Sequence, residues 1–215
     1  MSNKITVKKS ENRMAEIIFF ILFSLVITVA LLFKGLYFEK ELLPTLIGIF
    51  ILFIAWGTYK SREKGFKLLS TPIDYLFLGV VLMYLLSITY GVNKREAVFE
   101  FSRHFAYFII FLMTKSFSTN KKYEKYIINI VLFGGLLVSI IGIGSAIGTW
   151  EYIGAVIGNR LSSTFQYPNT MGAYVGALYF IAMTALINEE NKPVKAIYGS
   201  ILGTFVFSLI LTLSR

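Results

Sequence analysis

The residues best suited to chemistry in this chain lie in the polar segment 159–170, which reads NRLSSTFQYPNT. It joins two strongly apolar stretches and holds a single arginine, Arg160, beside a run of hydroxyl side chains. A Pro-Asn pair closes the segment and favours the start of a helix, with Asn169 as the N-cap. Because a helix N-terminus offers unpaired amides and a positive dipole, a cation beside it predicts an anion site. The expected ligand is a phosphate, with Ser163 and Thr164 as supporting donors.

The composition of the chain predicts the class of protein that contains this segment. Hydrophobic residues make up 56% of 215 residues, only 15% are charged, and the mean hydropathy is +0.69. This is more apolar surface than a soluble core of that size buries, so the chain is predicted to be an integral membrane protein. The net charge of +9 lies in short connectors between apolar runs, which argues against a nucleic-acid partner. The absence of cysteine excludes disulfides and thiolate chemistry.

Seven charge-poor runs are long enough to cross a bilayer as helices, since a crossing needs roughly 20 apolar residues. We therefore expect an all-α, polytopic transmembrane helix bundle of about seven spans. The predicted spans are 15–33, 42–59, 73–92, 97–114, 126–148, 170–188 and 196–214.

The distribution of lysine and arginine predicts the orientation of the spans. With a cytoplasmic N-terminus, fourteen basic residues fall inside and seven outside, as the positive-inside rule requires. Residues 1–14 then form a cytoplasmic basic tail, and the first span is an uncleaved signal anchor. The fourth span has only a short stretch without charged residues. If it did not cross the membrane, the later connectors would change sides and the excess of basic residues inside would be lost, so it is predicted to cross.

A polar stripe runs along the fourth span. Glu100, Arg103 and His104 are spaced by three or four residues, so they share one face of a helix. One interpretation is an interfacial amphipathic helix with its charges among the headgroups. The other is that these three residues line a cavity, where His104, the only histidine, is a candidate general base.

Arg160 is predicted to have a partner at the far end of the chain. The short connector 188–195 makes the last two spans antiparallel, so Arg160 and Arg215 are expected on one outer rim. Two guanidinium groups there can grip a diphosphate in the bidentate way that lysine does not. The alternative is that both arginines extend to the outer headgroups without binding a specific ligand.

Small residues predict where helices approach closely. Four GxxxG pairs lie in the second half of the chain, and such pairs let helix backbones pack tightly in membranes. They are Gly144 and Gly148, Gly154 and Gly158, Gly172 and Gly176, and Gly199 and Gly203.

The motif residues at 159–215 carry a resemblance to a known family. They are Asn159, Arg160, Ser163, Thr164, Phe165, Pro168, Asn169, Gly172 and Ala173, with Thr212, Leu213, Ser214 and Arg215 at the end. This pattern resembles the start of the conserved region of the O-antigen ligase and Wzy-type polysaccharide polymerase superfamily. On that resemblance, 15–148 is an N-terminal bundle of five spans. Residues 149–215 form an external loop and two spans of the conserved region.

The resemblance implies a membrane glycosyltransferase with a GT-C-like partial fold in the bacterial cytoplasmic membrane. Such enzymes transfer undecaprenyl-diphosphate-linked glycan on the outer face to a glycan or lipid acceptor, without a metal or cofactor. Arg160 and Arg215 stand where the family's arginines hold the donor diphosphate. The family's histidine-bearing outer loop would lie beyond residue 215, so the chain is expected to be the N-terminal part of a longer protein or a truncated product. No catalytic residue is identified.

Two other classes of function fit the sequence. A polytopic transporter or flippase-like carrier would use the polar stripe of the fourth span and the glycine-rich helices as its path. A non-catalytic, truncated remnant is the second alternative.

Overall fold

The structure, a computed structural model, describes residues 2–63, 65–165 and 167–213, with side chains from Met14 onward. Arg215, the second predicted diphosphate-binding residue, lies outside the described residues, as does Ser214 of the same motif. Their part in the site stays a prediction.

Seven α-helices dominate the described residues, and all seven are long and apolar enough to cross a membrane. The predicted all-α, polytopic fold class is therefore confirmed. The elements are α1 Ser2–Leu32, a 3-10 turn at Lys34–Leu36, α2 Glu39–Lys60, α3 Pro72–Tyr90, α4 Lys94–Ser118, α5 Lys121–Ala146, β1 Val156–Ile157, β2 Arg160–Leu161, α6 Pro168–Asn188 and α7 Lys192–Thr212.

The fourth helix is longer than the predicted span 97–114. It begins at Lys94, where the Asn93 side chain caps it by accepting a hydrogen bond from the Glu96 amide at 3.3 Å. The charged first turns are thus part of one continuous helix of 25 residues, enough to cross the hydrocarbon.

The chain forms two compact units. Unit 1 comprises the chain up to Val26 together with Leu42–Glu124, and unit 2 comprises Ile27–Glu41 and the chain from Lys125 onward. Most of α5 thus belongs with α6 and α7, whereas the sequence-based division placed the boundary after residue 148.

In unit 1, α3 packs along α4. The ring of Phe77 lies 5.4 Å from the ring of Phe108 and 5.2 Å from that of Phe111, which gives this contact an aromatic core. At one end of the pair, the buried carboxylate of Asp74 accepts hydrogen bonds from the Thr71 amide and from the ammonium of Lys115. This ion pair fixes the end of α4 to the start of α3.

In unit 2, α6 packs along α7, and α5 completes the core. Gly135 of α5 permits this contact, because a Cβ there would come within 2.2 Å of Leu178 and 3.0 Å of Phe205. At the connector between α6 and α7, Lys125 donates a hydrogen bond of 2.9 Å to Glu189, which lowers the pKa of that carboxyl.

The prediction that GxxxG pairs mark close packing is wrong for most of those glycines. Gly154 and Gly158 lie in the loop before α6 with φ of 87° and 51°, where a glycine serves backbone conformation. A Cβ at Gly203 would meet nothing within 4 Å. Gly144 is the exception among the paired glycines, because a Cβ there would come within 2.0 Å of Trp150. Further tight contacts lie at Gly134, Gly135 and Gly142, outside every GxxxG pair.

Candidate functional site

Arg160 lies on a short β-hairpin in the connection between α5 and α6. The strands β1 and β2 are antiparallel, with Ile157 opposite Arg160 and Gly158-Asn159 as the two-residue turn. Gly158 has φ of 51°, which suits a glycine in such a turn. Sequence reasoning missed this hairpin, although Gly-Asn between short apolar runs is its ordinary signal.

The Arg160 guanidinium joins the start of α6 to the end of α7. Its Nε–H donates to the backbone oxygen of Thr212 at 2.9 Å, and Nη2 donates to Oδ1 of Asn169 at 2.6 Å. Both acceptors are neutral, so they orient the group without cancelling its charge. Among the described residues no carboxylate pairs with Arg160, and its Nη1 has no hydrogen-bond partner. The Nε and Nη2 edge of the guanidinium is thus hydrogen-bonded within the protein, and the Nη1 edge has no partner among the described residues.

The contact with Thr212 brings the 159–170 segment to the last turn of α7. This is the end at which the antiparallel arrangement of α6 and α7 was expected to place both arginines. Thr212 is three residues before Arg215 in sequence, and Arg215 itself lies outside the described residues.

Asn169 is not the N-cap of α6. The helix begins at Pro168 and its N-cap is Tyr167, which makes no side-chain capping hydrogen bond. Proline at the first helical position explains the earlier start, because its fixed φ suits the helix and it lacks the N–H that would go unpaired. The amide side chain of Asn169 is thereby left to accept the hydrogen bond from Arg160. The start of α6 still offers first-turn amides beside that guanidinium.

Ser163 and Thr164 have structural partners. Both are buried, Ser163 Oγ donates to the backbone oxygen of Val138, and Thr164 Oγ1 donates to that of Leu31 at 2.8 Å. Their hydroxyl protons hold the loop against α5 and the end of α1, so these protons are not offered to a ligand in this arrangement. Sequence reasoning missed these acceptors, since a backbone oxygen carries no sequence signal.

Ser162 differs from its two neighbours. Its side chain is fully buried, and within the described residues its Oγ has no hydrogen-bond partner. It is also adjacent to Leu161, the second residue of the strand that carries Arg160. Of the three hydroxyls, Ser162 is therefore the one that retains a free donor.

No protein-family model matches this chain, and no significant match was found among curated proteins or solved structures. The resemblance to the ligase and polymerase superfamily thus depends on the motif residues alone.

The polar stripe of the fourth span belongs to unit 1, whereas Arg160 belongs to unit 2. Arg103 forms an ion pair with Glu100 on the same helix, and Nδ1 of His104 lies 2.8 Å from the backbone oxygen of Glu100. The imidazole stacks on the ring of Tyr84 of α3, with centroids 3.5 Å apart and 17° between the planes. These three residues therefore partner one another and α3, as either interpretation of the stripe allows.

The Arg160 site provides groups that suit the binding of an anion. The described part of the chain contributes the Arg160 cation and the first-turn amides of α6 there, and both are donors for an anion. Among the described residues, no group of three or more His, Asp or Glu side chains is placed to hold a metal ion.

Proposed function

We propose that this protein is a membrane glycosyltransferase similar to O-antigen ligases and polysaccharide polymerases. It transfers glycan from an undecaprenyl-diphosphate carrier on the outer face of the bacterial cytoplasmic membrane. Arg160, together with Arg215, binds the diphosphate of the donor. The acceptor is the hydroxyl of another glycan or of a lipid.

The observation that carries this proposal is the way Arg160 is held. Hydrogen bonds from Nε and Nη2 to Thr212 and Asn169 fix the guanidinium at the junction of two helices, while Nη1 has no partner in the described part of the chain. A preorganised, unneutralised guanidinium at a helix N-terminus is suited to a diphosphate, which carries several acceptor oxygens. A lysine at this position could not keep the same contacts and also present a planar donor edge.

The role of Arg160 in transfer follows from where charge develops. The acceptor oxygen forms a bond to the anomeric carbon while the bond from that carbon to the phosphate oxygen breaks. The electron pair of the broken bond passes to the diphosphate, and the acceptor hydroxyl releases its proton. A cation at the diphosphate stabilises this developing negative charge. No residue of this chain is assigned as the base that takes the proton.

Binding of a short polyprenyl diphosphate tests the proposal on the full chain. In purified protein, farnesyl diphosphate is expected to bind more tightly than farnesyl monophosphate, and farnesol to bind weakest. Arg160→Lys is expected to weaken diphosphate binding about tenfold, the effect of losing one charge-assisted contact. Isothermal titration in detergent measures all three ligands.

Arg62→Lys is the matched control, because Arg62 is an exposed arginine in the connector between α2 and α3. It should bind farnesyl diphosphate as the unsubstituted protein does. Equal affinity for the diphosphate and for farnesol, or an Arg160→Lys variant indistinguishable from Arg62→Lys, would overturn the proposal.

A further inference from the structure

A cavity of about 310 Å³ lies in unit 1, at the end where α2 and α4 finish and the connector to α3 begins. Its lining combines apolar side chains with several hydrogen-bond donors. The residues used below are Trp56, Lys67, Leu68, Leu112, Lys115 and Ser116. We call this cavity the headgroup cleft.

Three donors on the wall of the headgroup cleft lack partners within the described residues. The indole of Trp56 is 1% exposed, and its Nε1–H has no hydrogen-bond partner. The hydroxyl of Ser116 makes no side-chain hydrogen bond, and the exposed ammonium of Lys67 makes no ion pair there. The Trp56 N–H is not accessible from the surface, so Ser116 and Lys67 are the donors that a ligand in the cleft can reach.

The charge of the headgroup cleft is positive. Lys67 and Lys115 line it, and no acidic residue does among those that the structure describes. Asp74, which pairs with Lys115, is fully buried and is not part of the lining. Because Asp74 neutralises Lys115, the unpaired positive charge of the cleft is that of Lys67, and a cation beside neutral donors suits a phosphate group.

We propose that the headgroup cleft binds the phosphodiester of an anionic glycerophospholipid. Ser116 and Lys67 donate to the phosphate oxygens, and the apolar side chains of Leu68 and Leu112 contact the glycerol backbone and the first acyl carbons.

The position of the cleft favours a lipid over a free phosphate ion. It lies at the ends of membrane-spanning helices, the depth at which headgroups sit, and its wall includes apolar side chains that an inorganic ion would leave unused. The charge bias of the connectors predicts that this end is cytoplasmic, and anionic lipids are enriched in the cytoplasmic leaflet. The quaternary ammonium of a choline headgroup would repel the unpaired ammonium of Lys67, which disfavours a zwitterionic lipid.

Native mass spectrometry of the delipidated full chain tests the inference. The probes are dioctanoyl phosphatidylglycerol, dioctanoyl phosphatidylcholine and inorganic phosphate. Phosphatidylglycerol is expected to bind at least about tenfold more tightly than phosphatidylcholine. Lys67→Gln and Ser116→Ala are each expected to weaken phosphatidylglycerol binding about three- to tenfold, the range for one lost charge-assisted hydrogen bond.

Two control variants test whether a loss of lipid binding is specific to the headgroup cleft. Lys121→Gln removes the same charge from a fully exposed side chain of unit 1, and Arg160→Lys alters the proposed diphosphate site. Both should retain phosphatidylglycerol as the unsubstituted chain does. Lys115 is left unchanged because it also pairs with the buried Asp74.

Three results would overturn the inference. Equal affinity for the two lipids would show that the cleft does not distinguish an anionic lipid from a zwitterionic one. A loss with Lys121→Gln as large as with Lys67→Gln would show non-specific charge attraction. Displacement of phosphatidylglycerol by an equal concentration of inorganic phosphate would make the cleft an ion site and not a lipid site.

Discussion

Arg160 and Lys115 are both cations near helix ends, but their partners differ in charge. Arg160 donates to a backbone oxygen and to a neutral amide, so its positive charge stays available to a ligand. Lys115 pairs with the carboxylate of Asp74, which is 0% exposed. The first arrangement fits a binding residue and the second fits a structural ion pair.

Breaking the structural ion pair tests this distinction. Lys115→Met leaves the buried Asp74 carboxylate without its cation and is expected to lower the free energy of unfolding by about 3 kcal/mol. The double variant with Asp74→Asn should recover at least half of the loss, since an uncharged amide can still accept from the Ser70 and Thr71 amides. Unfolding in a titration with sodium dodecyl sulfate, followed by circular dichroism, measures both.

A Lys115→Met variant as stable as the unsubstituted protein would contradict the structural role of the pair. So would a double variant that is less stable than Lys115→Met alone.

Single residues also show what sequence could and could not predict about the site. Arg160 could be singled out from the sequence because it is a lone arginine in a polar segment between apolar spans, and its role in binding stays a prediction. The partners of Ser163 and Thr164 were missed because Val138 and Leu31 are distant in sequence and contribute only backbone oxygens. The N-cap was misplaced at Asn169 because its side chain suits a cap locally, whereas Arg160 uses it instead.

Among the elements, α5 is the helix whose surface is shaped most clearly by glycine. Gly135 lies against Leu178 and Phe205, while Gly134 lies against Leu31. These positions escaped the sequence pattern because two adjacent glycines do not form a GxxxG pair. Close approach depends on what faces the helix, and the spacing of small residues alone does not report that.

Filling the space at Gly135 is expected to destabilise unit 2. Gly135→Ala would force buried Leu178 to move, and such overpacking costs roughly 1 to 3 kcal/mol of the free energy of unfolding. Gly203→Ala in α7 is the matched control, because nothing lies within 4 Å and alanine favours a helix by up to about 1 kcal/mol. Thermal unfolding of both variants in detergent gives the comparison.

An unchanged or raised unfolding temperature for Gly135→Ala would contradict the close contact between α5, α6 and α7. A loss in Gly203→Ala equal to that in Gly135→Ala would indicate a general sensitivity of the helices.

At the scale of the whole molecule, the class of the protein could be predicted from the sequence. Charge-poor runs of about 20 residues have few structural alternatives in a membrane protein, so every predicted span is a helix in the structure. The first helix begins at Ser2, 13 residues before the predicted span, and the other helix ends differ from the predicted ones by at most five residues, because caps and polar turns extend a helix beyond its apolar run. The hairpin before α6 was missed, since two-residue strands carry little hydrophobic pattern.

The orientation of the spans links the molecule to its proposed reaction. With the N-terminus in the cytoplasm, the Arg160 segment is predicted to face the side on which lipid-linked glycans are transferred. The charge bias that predicts this is distributed over all connectors, so it is a property of the whole chain.

Glycan transfer in cells tests the central claim most directly. Arg160→Lys is introduced at the native locus, with Arg62→Lys as the control, and lipid-linked glycans are extracted and quantified by mass spectrometry. The account predicts that Arg160→Lys accumulates the lipid-linked donor and lowers the transferred glycan about tenfold or more, as expected for lost stabilisation of a charged leaving group. Donor and product levels in Arg160→Lys that match those of Arg62→Lys would contradict it.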